Sequence, residues 1–142
     1  MRIMGLDVGE KRIGIAISDP MGWTAQGHSV LQRSELEADL KQIQQICQDY
    51  EVEKIIVGLP LNMDGSIGAK ALEIQEFGTA VKNRLTVAVE YWDERLSTRS
   101  AERILIEADV SRRRRKQVID KMAAVNILQA YLDRLASGSR GV

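Results

Sequence analysis

The sequence predicts a mixed α/β fold: one five-stranded sheet, three antiparallel strands followed by parallel strands, with helices on both faces. Three observations predict it. Residues 3–8 and 13–17 are apolar runs joined by the four residues Gly9-Glu10-Lys11-Arg12, the mark of a tight hairpin. Further on, short apolar runs alternate with stretches of helical period, the pattern of strand–helix–strand crossovers. The chain has 142 residues, no internal repeat and no linker, which suits a single core. The expected boundaries are one domain over residues 1–136 and a flexible tail over 137–142.

The elements follow in order. After the hairpin, Pro20 and Gly22 mark a turn, and Trp23 to Leu31 is a third strand. Glu35 to Tyr50 is a helix with Ser34 as N-cap and Glu35, Glu37 and Asp39 near its positive end. Leu36, Leu40, Ile43 and Cys47 form its inward stripe, which makes Cys47 a small core residue rather than a nucleophile. Lys54 to Pro60 is a buried parallel strand. The turn formers of residues 61–68 follow it, at the carboxyl end where open α/β sheets place ligands.

Ala69 to Arg84 is helical, with Ile74, Phe77, Val81 and Leu85 inward. Thr86 to Trp92 is the last strand and runs into Asp93-Glu94-Arg95. A helix starting near Ser97 carries the stripe Ala101, Ile104, Leu105 and Ala108. Arg112 to Leu135 is the final helix or helix pair, and Ala123-Ala124 lets it approach the sheet closely. Trp23, Tyr91 and Trp92 read as core or rim.

Bulk properties narrow the class. Hydrophobic residues are 44% and charged residues 28%, as in an ordinary soluble globular protein. No apolar run reaches the ~20 residues of a membrane helix, and the first residues read as a strand rather than a signal peptide. One cysteine excludes an intrachain disulfide, and the expected compartment is the cytoplasm. The net charge is zero but uneven: 9 basic and 15 acidic side chains before residue 95, then 11 and 5 from there on. A cation-gathering region beside a phosphate-gathering one fits phosphodiester chemistry; a dipolar surface without a partner is the plain alternative.

The odd residue is Asp7. It ends a strand that reads as buried on both faces, where a carboxylate costs several kcal/mol unless paired or bound to a cation. Gly5, Gly9 and Gly14 around it allow close approach of another chain or a phosphate. Asp93 and Glu94 end the last strand, and Asp120 lies on the last helix. With the first strand central, these acids share one edge. Carboxylates gathered there repel unless cations separate them. Two divalent ions would relieve that repulsion, one activating water and the other steadying the leaving oxygen. Oxygen donors favour Mg²⁺ or Mn²⁺, and His28 with Cys47 makes no zinc pair. Taken singly, Asp93 as a turn cap, Asp120 as a solvated helix residue and Asp64 as a turn former are the plainer readings.

The run Arg112-Arg113-Arg114-Arg115-Lys116 reads either as a solvated cluster or as a phosphate-positioning patch beside Arg95 and Arg99. With only 4% aromatic residues, stacking platforms for single strands are not expected. The candidate nucleic-acid contacts are Lys11, Arg12, Asn62, Arg95, Arg99 and Arg112 to Arg115.

Gly5-Leu6-Asp7-Val8-Gly9 followed by Arg12-Ile13-Gly14 resembles the opening motif of the YqgF family, also called RuvX. Val57-Gly58-Leu59-Pro60-Leu61-Asn62-Met63-Asp64-Gly65 resembles its second motif. Asp93-Glu94-Arg95-Leu96-Ser97-Thr98 resembles its third, with Ser97 where Thr is usual. Asp120-Lys121-Met122-Ala123-Ala124, with Ile127-Leu128-Gln129, resembles its last. The four motifs span nearly the whole chain in order.

The resemblance implies an RNase H-like fold related to the Holliday-junction resolvase RuvC. It implies a divalent-metal nuclease with Asp7, Glu94 and Asp120 as acidic triad; strand phase does not separate Glu94 from Asp93, so Asp93 stays open as the ligand. It implies processing of the 5′ end of pre-16S ribosomal RNA, or alternatively Holliday-junction resolution on DNA, with precursor rRNA, ribosomal precursor particles or branched DNA as partners and a monomer or homodimer as the working form. Two other classes remain: an RNA-binding maturation factor without catalysis, and a phosphotransferase using Asp7-Val8-Gly9 as a phosphate turn. The second needs two such lobes, and one domain of this length supplies one.

Overall fold

Strand β1 (Arg2–Val8) lies at the centre of a five-stranded sheet of order β3-β2-β1-β4-β5. The computed structural model describes residues 2–96 and 112–140, with side chains through 96 and from 121 to 137. Strands β2 (Arg12–Ser18) and β3 (Ala25–Gln32) are antiparallel to their neighbours. Strands β4 (Val52–Leu59) and β5 (Ala88–Asp93) run parallel to β1. The carboxyl ends of β1, β4 and β5 therefore share one edge.

Side-chain alternation gives the sheet two different faces. Met4, Leu6 and Val8 of β1, with Ile55, Val57 and Leu59 of β4, join the larger cluster under helices α1 (Leu36–Asp49) and α2 (Ala69–Leu85). Ile3, Ala16, Ile56 and Trp92 form a smaller cluster on the other face, with Ala124, Ile127, Leu128 and Leu132 of helix α3 (Arg112–Arg140). Gly5 belongs to this second face. A Cβ there would stand 2.8 Å from Leu128 Cβ and 3.1 Å from the Ala124 carbonyl oxygen, so its lack of a side chain lets α3 press on β1. Among the described residues no helix is long and apolar enough to cross a membrane.

The direction of α3 follows from its contacts. The Tyr131 hydroxyl donates to Glu90 Oε2 (2.9 Å) and accepts from Lys54 Nζ (3.1 Å), near the starts of β4 and β5. Further back along the helix, Leu128 and Ala124 reach Gly5, and Ile127 reaches Gly58 near the end of β4. Helix α3 thus runs antiparallel to β1, its N-terminal end toward the carboxyl edge.

Several details differ from the sequence reading. Leu36 is half exposed, and the inward stripe of α1 is Asp39, Leu40, Ile43 and Cys47. Asp39 is 1% exposed because its carboxylate accepts the Ser34 N–H (3.0 Å) and hydroxyl (3.3 Å). Ser34 is therefore held by Asp39, and Glu35 occupies the N-cap with no side-chain cap bond. Thr86 takes a left-handed φ of 55° as C-cap of α2, which delays β5 to Ala88. Trp23, open between core and rim by sequence, is 72% exposed, beside the equally open Met21. Its loop is shaped by Asp19, whose carboxylate accepts the N–H groups of Met21, Trp23 and Thr24. Helix α3 runs through residues 137–140, which the sequence reading gave to a tail. The helix expected from Ser97, with Ala101, Ile104, Leu105 and Ala108, lies outside the described residues.

Candidate active site at the carboxyl edge of the sheet

Asp7 is the second-last residue of β1 and is half buried. It pairs across to Gly14 of β2. On the other side, Leu6 pairs with Val57, so Gly58 is the next residue along β4, beside Asp7. The hairpin after Asp7 is tight: the Gly9 N–H donates to the Arg12 carbonyl (2.8 Å), and a Cβ on Gly9 would sit 2.8 Å from that same oxygen. Arg33 braces the turn from beneath. Its Nη1 donates to the Gly9 carbonyl (2.6 Å), and its guanidinium lies 5.3 Å from the Phe77 ring centroid.

Asp93 and Glu94 diverge. Asp93 is the last residue of β5, one past Trp92, which faces α3. By alternation Asp93 points to the α2 face. There Arg95 takes it: Nε donates to both carboxylate oxygens (3.0 Å each), Nη2 to Oδ2 (2.6 Å), and the Arg95 backbone N–H to Oδ1 (3.0 Å). These hydrogen bonds hold the Asp93 carboxyl below the usual carboxylate range. Glu94 opens a single 3₁₀ turn, Glu94–Leu96, and its side chain folds back over the α3 face. A Cβ on Gly58 would stand 2.7 Å from Glu94 Oε1 and 3.2 Å from Glu94 Cγ. Gly58 is thus the seat on which Glu94 rests, next to Asp7 on the adjoining strand. Neighbouring strands are about 4.8 Å apart, so the two carboxylates stand on adjacent rows of one face.

The remaining candidates have these places. The Asp120 backbone is in α3, one turn before Ala124; its side chain, like those of Arg112 to Arg115, lies outside the described ones. Arg99 lies outside the described residues altogether. Lys11 is exposed at the hairpin tip, and Arg12 is half buried beside it. Asn62 is turned inward on its own loop: its Nδ2 donates to Ser66 Oγ (2.9 Å) and its backbone N–H to the Ser66 carbonyl (3.0 Å). Asp64 accepts the Ser66 hydroxyl (2.6 Å) and N–H (2.9 Å), which lowers its carboxyl and fixes a compact turn. Met63 crowns that turn, 93% exposed.

Among the described residues, the candidate donors on the α3 face of this edge, Asp7 and Glu94, are both carboxylates, which suit a hard divalent cation. His28 packs edge-on against Tyr50 at 5.1 Å, and the Cys47 thiol is pushed up to about 11 by burial beneath α1. Among the described residues no group of three or more His, Cys, Asp or Glu side chains stands ready to hold a metal. A third carboxylate for such a group would have to come from a side chain beyond them. Sequence reasoning missed the role of Gly58. The available signal was a glycine inside an otherwise apolar strand, which marks close approach of another group.

A family model described as RuvX, Holliday junction resolvase, matches residues 1–134. The chain belongs to the RuvX family. A relative from Syntrophomonas wolfei, named "Putative pre-16S rRNA nuclease", is 68% identical over 133 residues, covering 94% of each chain. A relative of the same name from Moorella thermoacetica is 53% identical over 142 residues, covering both chains fully. The structure is also similar to Thermus thermophilus RuvC in complex with a Holliday junction substrate, with a TM-score of 0.62, 12% identity and 98% of each chain covered. Fowlpox virus resolvase bound to Holliday junction DNA gives a TM-score of 0.56 at 13% identity, covering 95% of this chain and 99% of the other. At such identities the likeness establishes the RNase H-like fold. Family and fold are therefore those the four RuvX motifs implied.

Proposed function

We propose that this RuvX member is a divalent-metal-dependent nuclease that hydrolyses phosphodiester bonds of structured nucleic acid, precursor 16S rRNA first among them. The observation that carries the reading is the seating of Glu94 on Gly58 beside Asp7, at the edge toward which α3 points its N-terminal end. Relatives at 68% and 53% identity bearing the name of a pre-16S rRNA nuclease support the substrate class.

Asp7, Glu94 and Asp120 are the proposed metal ligands. One helical turn back from Ala124 advances about 6 Å, close to the ~6.6 Å between Gly5 and Asp7 along β1. That arithmetic supports Asp120 over Asp7. Mg²⁺ or Mn²⁺, as a pair, would supply Lewis acidity and a water made acidic enough to attack at neutral pH. The chain's own part is geometric. The sheet fixes Asp7, Gly58 lets Glu94 lie flat against it, and the packed helix carries Asp120. Lys11 and Arg12 at the hairpin tip, with Arg112 to Arg115 on the first turns of α3, are the proposed phosphate contacts. They orient the substrate without reading its sequence. Asp93 is outside this set on our reading, since Arg95 already occupies its carboxylate.

The deciding experiment incubates the protein with a structured pre-16S rRNA fragment and with a four-way DNA junction, each in Mg²⁺, Mn²⁺ and chelator. Cation-dependent cleavage of the RNA, abolished by Asp7→Asn with the fold intact, is the expected result. Junction cleavage alone would move the substrate to DNA. Salt-sensitive RNA binding without cleavage by any cation would reduce the protein to a binding factor.

A further inference from the structure

Arg95 reads from sequence as a phosphate contact, but its hydrogen bonds are committed elsewhere. One side of its guanidinium holds the Asp93 carboxylate at the end of β5. Nη1 reaches the other way and donates to the Met63 carbonyl (3.0 Å) in the 62–66 turn. Gly65, at a φ of 87°, lies under the same guanidinium: a Cβ there would sit 3.6 and 3.7 Å from its two terminal nitrogens. That turn is already drawn tight by the Gly65 N–H to the Asn62 carbonyl (2.8 Å) and by the Asp64–Ser66 bonds. Between the two anchored residues, Asp93 and Arg95, sits Glu94.

We propose that Arg95 is a positioning residue, which with Asp93 clasps the 62–66 turn to the end of β5 and thereby sets Glu94 on Gly58. The inference rests on the nuclease reading for its catalytic consequence. The clasp is bidentate and planar, so lysine, a point charge, does not replace it. Freed from either anchor, the 3₁₀ turn loses the restraint on both sides of Glu94. Misplacing a catalytic group by about 1 Å typically lowers turnover about a hundredfold.

The test uses Arg95→Lys, Asp93→Asn and the double variant in the full chain, each checked for parental far-UV circular dichroism. Three readouts are taken: hydrogen exchange of the Gly65 and Ser66 amides, Mn²⁺ affinity by calorimetry, and kcat and KM on the RNA fragment. The expected result is faster exchange at both amides in each single variant. Mn²⁺ binding weakens and kcat falls about ten- to a hundredfold with KM within twofold, and the double variant is no worse than the worse single one. Parental exchange in Arg95→Lys overturns the clasp. So does loss of Mn²⁺ binding in Asp93→Asn alone, which would make Asp93 a ligand. A raised KM with unchanged metal affinity and a shallower salt dependence in Arg95→Lys also overturns it, because that is the signature of a phosphate contact. If the parent protein neither cleaves nor binds Mn²⁺, the nuclease reading fails while the exchange result still decides the clasp.

Discussion

Gly58→Ala is the sharpest perturbation of the proposed site, because one methyl group contests one carboxylate. The new Cβ would lie 2.5 Å from Ile127 Cδ1 and 2.7 Å from Glu94 Oε1, against the roughly 3.5 Å or more of comfortable contact. Both neighbours must retreat by about 1 Å. Overpacking of this kind typically destabilises by about 1–3 kcal/mol. At roughly 2–4 °C per kcal/mol for a chain of this size, the melting midpoint should fall by about 2–12 °C. The displacement of Glu94 by the same distance should lower kcat about a hundredfold. Activity and stability therefore separate by magnitude when cleavage is assayed well below the midpoint.

Gly78→Ala is the matched control. Its Cβ would collide with the Tyr91 hydroxyl between α2 and β5, on the face away from Glu94. It should give a comparable drop in midpoint with kcat within a few-fold of parent. A Gly58→Ala protein cleaving at the parental rate would refute the claim that Glu94 acts from its seat on β4. Equal kcat losses in the two variants would show that overpacking of the fold, not the carboxylate, governs the rate.

Three further outcomes follow. Asp7→Asn should reduce cation-dependent cleavage at least about a hundredfold while the fold stays intact, because it removes a proposed metal ligand without changing side-chain size; rate measurements and far-UV circular dichroism check both. Tyr131→Phe deletes the hydroxyl that joins Glu90 and Lys54, and should destabilise by about 1–2 kcal/mol in denaturant titration, with no change in substrate affinity. The Cys47 thiol, raised from 9.0 to about 11 by burial, favours its neutral form in the folded state. The stability it contributes is complete below pH 9, its unfolded value, and is lost as pH rises toward 11. A thiol reagent at pH 8 should leave it unmodified until denaturant is added.

Much of this architecture was readable because burial leaves a period in the sequence. The apolar runs at 3–8, 13–17 and 54–59 are strands within a residue or two, and β1 is central as its two-sided apolarity required. The placement of Asp7 at the end of β1 was equally legible, as an acid closing an apolar run. What period could not supply was partner identity. Asp39 looked like a helix-dipole acid, yet it is buried holding Ser34. Trp23 stayed open between core and rim, and the Asp19 carboxylate that folds its loop outward decides for exposure. Arg95 read as a phosphate contact among cations, with no sign in the sequence that its fork also grips a carboxylate two residues back. Adjacent acids such as Asp93 and Glu94 are separated only by which face each side chain takes, and a strand that ends in a 3₁₀ turn breaks the alternation that would predict it.

The unequal faces of the sheet have a thermal corollary. The larger apolar mass lies under α1 and α2, while α3 rests on the smaller one. The proposed cutting centre spans that thinner seam, half on the sheet and half on the helix. Warming should therefore silence the enzyme some degrees before the rest of the molecule melts, and stapling α3 to β1 would close the gap between the two temperatures.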